Sequence, residues 1–444
     1  MIKVVILVGW LAASSFIPAM SSARTESRVD SLARDYVRLV LSVGEYVPDY
    51  VDAYFGPPEF REEASKEAAG REFPYQKLVQ EAERLLAYAE ELLAHAETDS
   101  RGRRLDFLRG QLNSLLAVLD WRNGVRLTFD QEAQAIYGIV APQHDSAYYE
   151  DLLMRLDSLV PGRGDLFERF ENLQKQFVVP RQSINTLIKL CVAECRERTC
   201  RFIDLPEGEN CRIELVGGKS WGGYNWYLGS LQSLIQVDTS GPVYAGSLIG
   251  IAAHEGYPGH HCANVMREKI LVQDSGWVEF SVIPLYCPSS VLDEGMASYA
   301  SALVFPLEER VAFYKRILPQ FMNLDTAMID TYCRVLHARK ELSECHVDAA
   351  RAYLDGTWDS LRAARWVRHF DLGTDESAAK SLAFSRDYRS YRVTYVVGEQ
   401  LVGDFILRHG GAPEKPDRQW ELFQGLLEFP FLSANLKQGN ATVP

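Results

Sequence analysis

The chain has 444 residues, of which 47% are hydrophobic and 24% are charged. This composition is typical of a folded protein and excludes disorder over the whole chain. The length suits one large domain or two of ordinary size. The formal net charge of −13, without a long basic segment, argues against nucleic acid or an anionic membrane as the main partner.

The first 23 residues have the pattern of a secretory signal peptide. Lys3 comes before an apolar segment at residues 4–13, and Ser21 and Ala23 are the small residues expected before a cleavage site after Ala23. The alternative, a membrane anchor, is disfavoured because polar residues and Pro18 keep the apolar segment short for a span. We therefore expect an exported protein, periplasmic or secreted, with no stable membrane insertion after cleavage.

The region from residue 24 to residue 200 has the sequence pattern of a helical N-terminal region. Apolar residues recur at steps of three and four in two long segments, residues 77–96 and 104–121. The polar residues between these segments predict a helix–helix loop. Further helices are predicted near residues 27–46, 166–178 and 180–197.

The chain has eight cysteines, and disulfides persist in exported proteins. Cys191 and Cys195 lie one helical turn apart, a spacing that favours packing in a core over a bridge. Cys200 and Cys211 are separated by a predicted loop, and we predict a disulfide between them. The cysteine spacings do not fit a C-x-x-C zinc ribbon.

After residue 200 the chain has two short segments typical of β-strands, residues 212–216 and 234–238. The segment GGKSWGGYNWYLG between them is interpreted as a loop, and the aromatic residues of its second part, GGYNWYLG, could line the cleft. We expect a small hairpin or edge strand here, and residues 233–238 could pair with an extended peptide. The helical pattern resumes at residue 243. The predicted fold class is therefore mainly α, with residues 201–444 forming a catalytic region that packs as one unit with the N-terminal region.

The segment HEGYPGHH differs from the zinc motif H-E-x-x-H at one decisive position. Pro258 stands where the second histidine belongs, four residues after His254, and the next histidines are His260 and His261. In a straight helix, His260 would point about 120° away from His254, and His261 would lie roughly 10.5 Å further along the axis. Neither arrangement suits two ligands of one ion.

Pro258 also predicts that the helix is interrupted. Its ring clashes with the carbonyl of His254, and glycines on both sides loosen the backbone between Glu255 and His260. A bulge of two residues would bring His260 to the place of the missing second histidine. The alternative is a kinked helix whose histidines lie on the surface or in the core.

A third ligand is needed for a catalytic zinc site, which keeps one position open. The segment at residues 291–305 is a predicted helix with Asp293 and Glu294 in its first turn, and Glu294 is the candidate. The alternative is that both acids only stabilise the N-terminal end of the helix dipole.

Three segments together resemble the bacterial domain-of-unknown-function family 885, which is metallopeptidase-like. Its His-Glu-x-Tyr-Pro-Gly-His-His signature matches residues 254–261, and its Tyr-x-x-Gly motif matches residues 395–398. Its Glu-Gly-Trp-Ala-x-Tyr motif matches residues 294–299, with Met296 in place of Trp. The resemblance implies a large helical architecture similar to thimet oligopeptidase and Taq-type carboxypeptidase, with a small β-sheet next to the active-site helix.

The same resemblance implies one zinc ion per chain, with three ligands: His254, His260 and Glu294. It implies Glu255 as the general base, while His261 is either an alternative second ligand or a group that stabilises the oxyanion. Tyr395 and Tyr391 lie on one helical face and are candidate donors to the oxyanion. The alternative for each tyrosine is a structural place in the core.

These observations predict an exported zinc-dependent hydrolase that cleaves peptide or related amide bonds. A non-catalytic metal-binding or peptide-binding protein on the same scaffold is the alternative, and Glu255 argues against it because a binding protein needs no base there. A third hypothesis, a structural helical protein without metal, predicts that the proposed ligands lie far apart. The sequence does not indicate the oligomeric state.

Overall fold

The structure is a computed structural model that describes residues 18–97, 99–429 and 431–437. Residues 1–17 of the predicted leader lie outside this part of the chain, so the signal peptide stays a prediction. In the part that the structure describes, no helix combines the length and the apolar character needed to cross a bilayer.

The N-terminal region is helical, as its periodicity predicts. The two long amphipathic segments form α3 and α4, and the apolar stripe of α3 is largely buried. The elements are α1 (Pro18–Gly44), β1 (Val51–Tyr54), α2 (Pro58–Ala68), α3 (Tyr75–Leu93), α4 (Ser100–Arg122), α5 (Phe129–Tyr137), α6 (Ser146–Asp157), α7 (Leu166–Lys175) and α8 (Arg181–Thr199).

The middle of the chain combines short strands with an interrupted helical segment. Two π-helical segments, Ala252–Gly256 and Arg267–Asp274, lie on either side of α10. The elements are β2 (Asn210–Val216), β3 (Gly223–Gly229), β4 (Gln232–Asp238), α9 (Ala245–Ile251), α10 (His260–Met266) and β5 (Val282–Pro284).

The C-terminal part is helical. A short 3-10 turn, Arg389–Arg392, leads directly into α17. The helices are α11 (Ser290–Val304), α12 (Leu307–Ile317), α13 (Ala327–Arg339), α14 (Cys345–Leu354), α15 (Ser360–Phe370), α16 (Asp375–Tyr388), α17 (Val393–Arg408), α18 (Pro416–Glu428) and α19 (Ser433–Lys437). The predicted fold class, mainly α with small sheets, is confirmed.

The strands form two small sheets, and their arrangement corrects two predictions. β4 lies between β2, to which it is parallel, and β3, to which it is antiparallel, while β1 pairs antiparallel with β5. Residues 233–238 are therefore a central strand, and they cannot pair with a peptide by edge addition. The predicted Gly-rich loop instead contains β3, in which residues 225–229 alternate between buried and exposed positions.

The turn that joins β3 and β4 in a hairpin lacks the residue types usual for its backbone conformation. Its two central residues, Ser230 and Leu231, both have positive φ, at 54° and 62°. Such turns normally carry Asn or Gly, so the sequence lacks the usual signal. Glu268, which lies outside the hairpin, stabilises the turn. Its carboxylate accepts hydrogen bonds from the backbone N–H groups of both residues, at 3.1 and 3.2 Å.

The buried hydrophobic residues form two large clusters that meet at the C-terminal helices. One cluster joins α6–α8 with β4, α9 and most C-terminal helices, and the other joins α1–α5 with β5 and the start of α17. α11 contributes to both, with Leu292 in the first cluster and Val291 in the second. The predicted division of the chain after residue 200 stays a prediction.

The cysteines confirm one prediction and correct another. Cys191 and Cys195 are fully buried in the core on α8, as their spacing predicts. Cys200 and Cys211, predicted to form a disulfide, are both free thiols. Cys200 is exposed at the end of α8, whereas Cys211 is fixed on β2 by pairing with β4 and lies beside the hydroxyl of Tyr257.

Candidate metal centre

The helix that carries His254 is interrupted where Pro258 predicts. α9 continues into the π-helical turn Ala252–Gly256, the backbone becomes extended at Tyr257, and α10 starts at His260. The peptide bond before Pro258 is cis. The interruption changes the direction of α10 relative to α9, so that His254 and His260 need not obey the geometry of a straight helix.

Gly259 allows the backbone after Pro258 to pass close to the turn that carries Ala253 and His254. A Cβ atom at this position would lie 2.0 Å from the carbonyl oxygen of His254 and 2.3 Å from that of Ala253. Real Cβ contacts are essentially never shorter than 3.0 Å, so a side chain would push the two turns apart. The backbone N–H of Gly259 instead donates to the carbonyl of Ala253 at 2.9 Å.

The structure brings together three of the residues proposed as ligands. One side-chain donor atom each of His254, His260 and Glu294 lies within 4.8 Å of the others. Nε2 of His254 is 3.2 Å from Oε2 of Glu294, and Nε2 of His260 is 3.6 Å from the same oxygen. The two imidazole rings meet edge to face, with centroids 4.8 Å apart.

Glu294 reaches this cluster because α11 and α17 cross with their backbones in contact. A Cβ atom on Gly295 would lie 2.4 Å from the carbonyl carbon of Gly398, and one on Gly398 would lie 2.2 Å from the carbonyl oxygen of Val291. Only glycine permits such an approach of two helices. The crossing brings Glu294 close to the start of α17, where Tyr391 and Tyr395 lie.

The two oxygens of Glu294 have different surroundings. Oε1 accepts a hydrogen bond from the hydroxyl of Tyr391 at 2.6 Å, whereas buried Oε2 faces the two histidines and accepts no hydrogen bond. Two imidazole nitrogens therefore face the same carboxylate oxygen. A divalent cation bound by nitrogen and oxygen ligands, such as zinc, fits this donor set.

The charges of the cluster also favour a positive charge at this point. Burial alone would raise the pKa of Glu294, but His260 and His254 hold it well below its usual value of 4.5. Burial alone would lower the pKa of His260, but the carboxylate of Glu294 raises it from 6.5 to about 9. Without a metal the cluster favours a bound proton, because positive charge is stabilised at this point.

Glu255, the candidate base, lines the same cleft as the two histidines and Glu294. Its side chain is buried, and burial raises the pKa of its carboxyl above the usual value of 4.5. The side-chain amide of Asn225 on β3 donates to its backbone carbonyl at 2.6 Å. A carboxylate with a raised pKa is suited to take a proton from water near neutral pH.

His261, which the sequence left as an alternative second ligand, lies away from the cluster. Its ring is fully buried, with Nδ1 2.8 Å from Oγ of Ser233 and Nε2 2.9 Å from Oε2 of Glu209. Glu209 also accepts hydrogen bonds from Tyr257 and Arg196. His261 therefore links the interrupted segment to Ser233 and Glu209. It is neither in the cluster of proposed ligands nor in the lining of the cleft. Adjacent helical residues point about 100° apart, so only one of the pair can face the cleft.

The two tyrosines also have different places. Tyr395 lines the cleft, and its ring stacks on that of His254 with centroids 6.1 Å apart. Burial raises the pKa of Tyr395 well above its usual value, so its hydroxyl stays protonated and can donate a hydrogen bond. Tyr391 is more deeply buried and its hydroxyl is already used by Glu294.

The cleft has a volume of about 820 Å³, which includes its open mouth. Tyr224 and Asn225 belong to the segment GGYNWYLG, whose aromatic residues the sequence suggests as cleft lining. The lining also includes residues that the sequence does not single out: Asp52, Trp221, Arg267, Phe384 and Tyr388.

No family model matches this chain, and no curated protein matches it either. Among solved structures, it is similar to a candidate lipoprotein from Colwellia psychrerythraea, with 12% identity and a TM-score of 0.52 over 82% of this chain and 69% of that one. It is also similar to Trypanosoma cruzi metallocarboxypeptidase 1, with 12% identity and a TM-score of 0.48 over 95% and 96% of the two chains. A third similar structure is the M32 carboxypeptidase of Deinococcus radiodurans, with 11% identity and a TM-score of 0.41 over 96% of each chain. At these identities the likeness concerns the fold alone, and for the Colwellia protein it supports the mainly helical architecture.

Proposed function

We propose that this protein is an exported zinc-dependent hydrolase that cleaves peptide or related amide bonds. The observation that carries the proposal is the convergence of His254, His260 and Glu294 in a cleft that also contains Glu255. This is the donor set of a catalytic zinc site, three protein ligands with a carboxylate base beside them. The convergence also speaks against the structural hypothesis, which needs these residues far apart.

The residues of the cleft account for the proton transfer from water to the leaving nitrogen in such a reaction. Zinc, when bound, lowers the pKa of water and polarises a carbonyl group. Glu255 takes a proton from the attacking water as the new carbon–oxygen bond forms, and it delivers that proton to the leaving nitrogen as the carbon–nitrogen bond breaks. The hydroxyl of Tyr395 donates a hydrogen bond to the negatively charged oxygen that develops on the carbonyl. Tyr391 keeps Glu294 oriented.

Metal content and turnover test this proposal together. We expect about one zinc per chain in the wild type and in Glu255→Gln, and a loss of zinc in His254→Ala and in Glu294→Ala. His95→Ala is the matched control, because His95 is exposed and lies outside the cleft. Hydrolysis of a quenched fluorescent peptide library should require zinc and should fall by a factor of about 100 to 10,000 in Glu255→Gln.

Two results would contradict the proposal in different ways. A wild type that binds no zinc after zinc is added back would remove the metal site itself. Zinc binding without any turnover in the wild type would instead favour the alternative, a metal-binding or peptide-binding protein on the same scaffold.

A further inference from the structure

The cleft contains a carboxylate that the proposed reaction does not use. Asp52 lies on β1, about 200 residues before the histidines in the sequence, and it lines the same cleft. In the pairing of β1 with β5, Val51 opposes Pro284 and Ala53 opposes Ile283, so that Asp52 is an extra residue in a β-bulge. Bulges are common next to active sites because they redirect a side chain.

Asp52 has a hydrogen-bond donor but no cationic partner. The hydroxyl of Tyr224 on β3 donates to its carboxylate, and Asp52 forms no ion pair within the described residues. Arg267, the guanidinium that lines the cleft, is already paired with Asp293 and Asn264. Burial raises the pKa of Asp52 to about 6, while the hydrogen bond from Tyr224 and the charge of His260 act to lower it.

The walls around this carboxylate are aromatic. The rings of Trp221 and Tyr224 lie 5.4 Å apart between centroids, and those of Phe384 and Tyr388 lie 4.7 Å apart on another part of the lining. Aromatic faces attract ammonium and guanidinium groups. Nζ of Lys219 lies 5.6 Å from the ring centroid of Trp221, and Cζ of Arg392 lies 4.6 Å from that of Phe384, so one face of each of these two rings already holds a cation of the chain.

We propose that Asp52 and its aromatic walls bind a positively charged nitrogen of the substrate close to the scissile bond. This inference rests on the proposed function and specifies the substrate class as peptides with a free α-amino group or a Lys or Arg side chain beside that bond. Arg267, the only Lys or Arg side chain in the described lining, is paired with Asp293, and Lys219, which lies over the ring of Trp221, is not part of that lining.

Binding to an inactive variant tests the inference without relying on turnover. In zinc-loaded Glu255→Gln, calorimetry would compare the Kd of one peptide that carries lysine with the same peptide carrying norleucine, each with a free or an acetylated amino terminus. A preference for the lysine side chain or for the free amino terminus identifies the source of the charge. We expect a preference of roughly tenfold to a hundredfold, as for a hydrogen bond to a charged group.

Adding Asp52→Asn to the Glu255→Gln variant tests whether the charge preference depends on Asp52. It should remove the preference while the neutral, acetylated norleucine peptide and zinc bind as before, which also shows that the variant is folded. Asp49→Asn is the matched control, because it removes an equal charge from an exposed position three residues away. The inference is overturned if the charged and neutral peptides bind equally, or if Asp52→Asn keeps the preference.

The two proposals fail separately. If the wild type cleaves no peptide but the charge preference exists and depends on Asp52, the protein is a peptide-binding protein with the cation site intact. If the wild type cleaves peptides without regard to charge, the hydrolase stands and the role of Asp52 is wrong.

Discussion

Tyr391 is the residue that determines how Glu294 is presented to the two histidines. Its hydroxyl occupies Oε1, which leaves Oε2 directed at the imidazoles. Hydrogen bonds of this kind orient the ligands of a metal and tune its affinity. The Tyr391 hydroxyl is buried and already engaged with Glu294, so among the two candidate tyrosines we assign the donor role toward substrate to Tyr395.

Tyr391→Phe should weaken zinc binding by about 10-fold to 100-fold, because Oε1 of Glu294 would lose its donor inside a buried site. Competition with a chromophoric chelator would measure the Kd. Tyr388→Phe is the control, since Tyr388 lines the cleft without a hydrogen bond to Glu294. An unchanged zinc Kd in Tyr391→Phe would show that its hydrogen bond does not orient the ligand.

Glu209 should make stability depend on pH. Burial would raise its pKa, but hydrogen bonds from His261, Tyr257 and Arg196 lower it from 4.5 to about 2. Because the folded-state pKa is the lower one, the stabilisation is present above about pH 4.5 and is lost as the pH falls from there towards 2. Its full size is at most about 3 kcal/mol.

Urea unfolding of the metal-free protein at pH 7 and pH 3 checks this prediction. Glu209→Gln should be less stable than the wild type at pH 7, and the difference should shrink at pH 3. Glu207→Gln, at an exposed position two residues away, should match the wild type at both values. A difference that does not change with pH would mean that Glu209 acts through shape and not through its charge.

At the scale of elements, the crossing of α11 and α17 positions Glu294, the proposed third ligand. Gly398→Ala should push the helices apart, because its Cβ would lie 2.2 Å from the carbonyl oxygen of Val291. We expect a loss of about 1–3 kcal/mol of unfolding free energy, as in overpacked cores, together with weaker zinc binding as Glu294 moves.

Gly403→Ala is a matched control on the same helix. There the Cβ would lie 3.6 Å from the ring of Tyr299, an ordinary contact, so alanine should stabilise α17 slightly through its higher helix propensity. Thermal unfolding and zinc titration of both variants would measure the effects. Equal behaviour of Gly398→Ala and Gly403→Ala would contradict a role for the close crossing.

At the scale of the whole molecule, the cleft joins distant parts of the chain. Asp52 comes from β1, the histidines from the interrupted segment beside the three-stranded sheet, and Glu294 from a C-terminal helix. A ligand that binds these parts only in the folded state stabilises the whole fold by mass action.

Removal of zinc should therefore lower the melting temperature of the wild type. With free zinc at 100 times its Kd, the stabilisation is about 2.7 kcal/mol, and a chelator should abolish it. His254→Ala should melt at the same temperature with and without chelator, whereas His95→Ala should respond like the wild type. If the chelator leaves the melting temperature of the wild type unchanged, zinc does not stabilise the fold and the prediction is wrong.

The sequence by itself determined the features that depend on neighbouring residues. Pro258 and its flanking glycines predicted the helix interruption, since a proline ring clashes with the preceding turn whatever the tertiary context. The steps of three and four predicted the helices, and the spacing of Cys191 and Cys195 predicted their burial. The residue types at positions 254, 255, 260 and 294 indicated metal chemistry, although their roles as ligands and base stay proposals.

Only the tertiary structure decided which side chains share a point in space. Whether His260 or His261 faces Glu294 depends on the direction in which α10 leaves the interruption, and on Glu209 and Ser233, which hold His261 from distant segments. Likewise, the partner strands of β4 make it central, and a bulge brings Asp52 into the cleft. Such contacts join residues separated by tens to hundreds of positions, so the local periodicity of the chain carries no record of them.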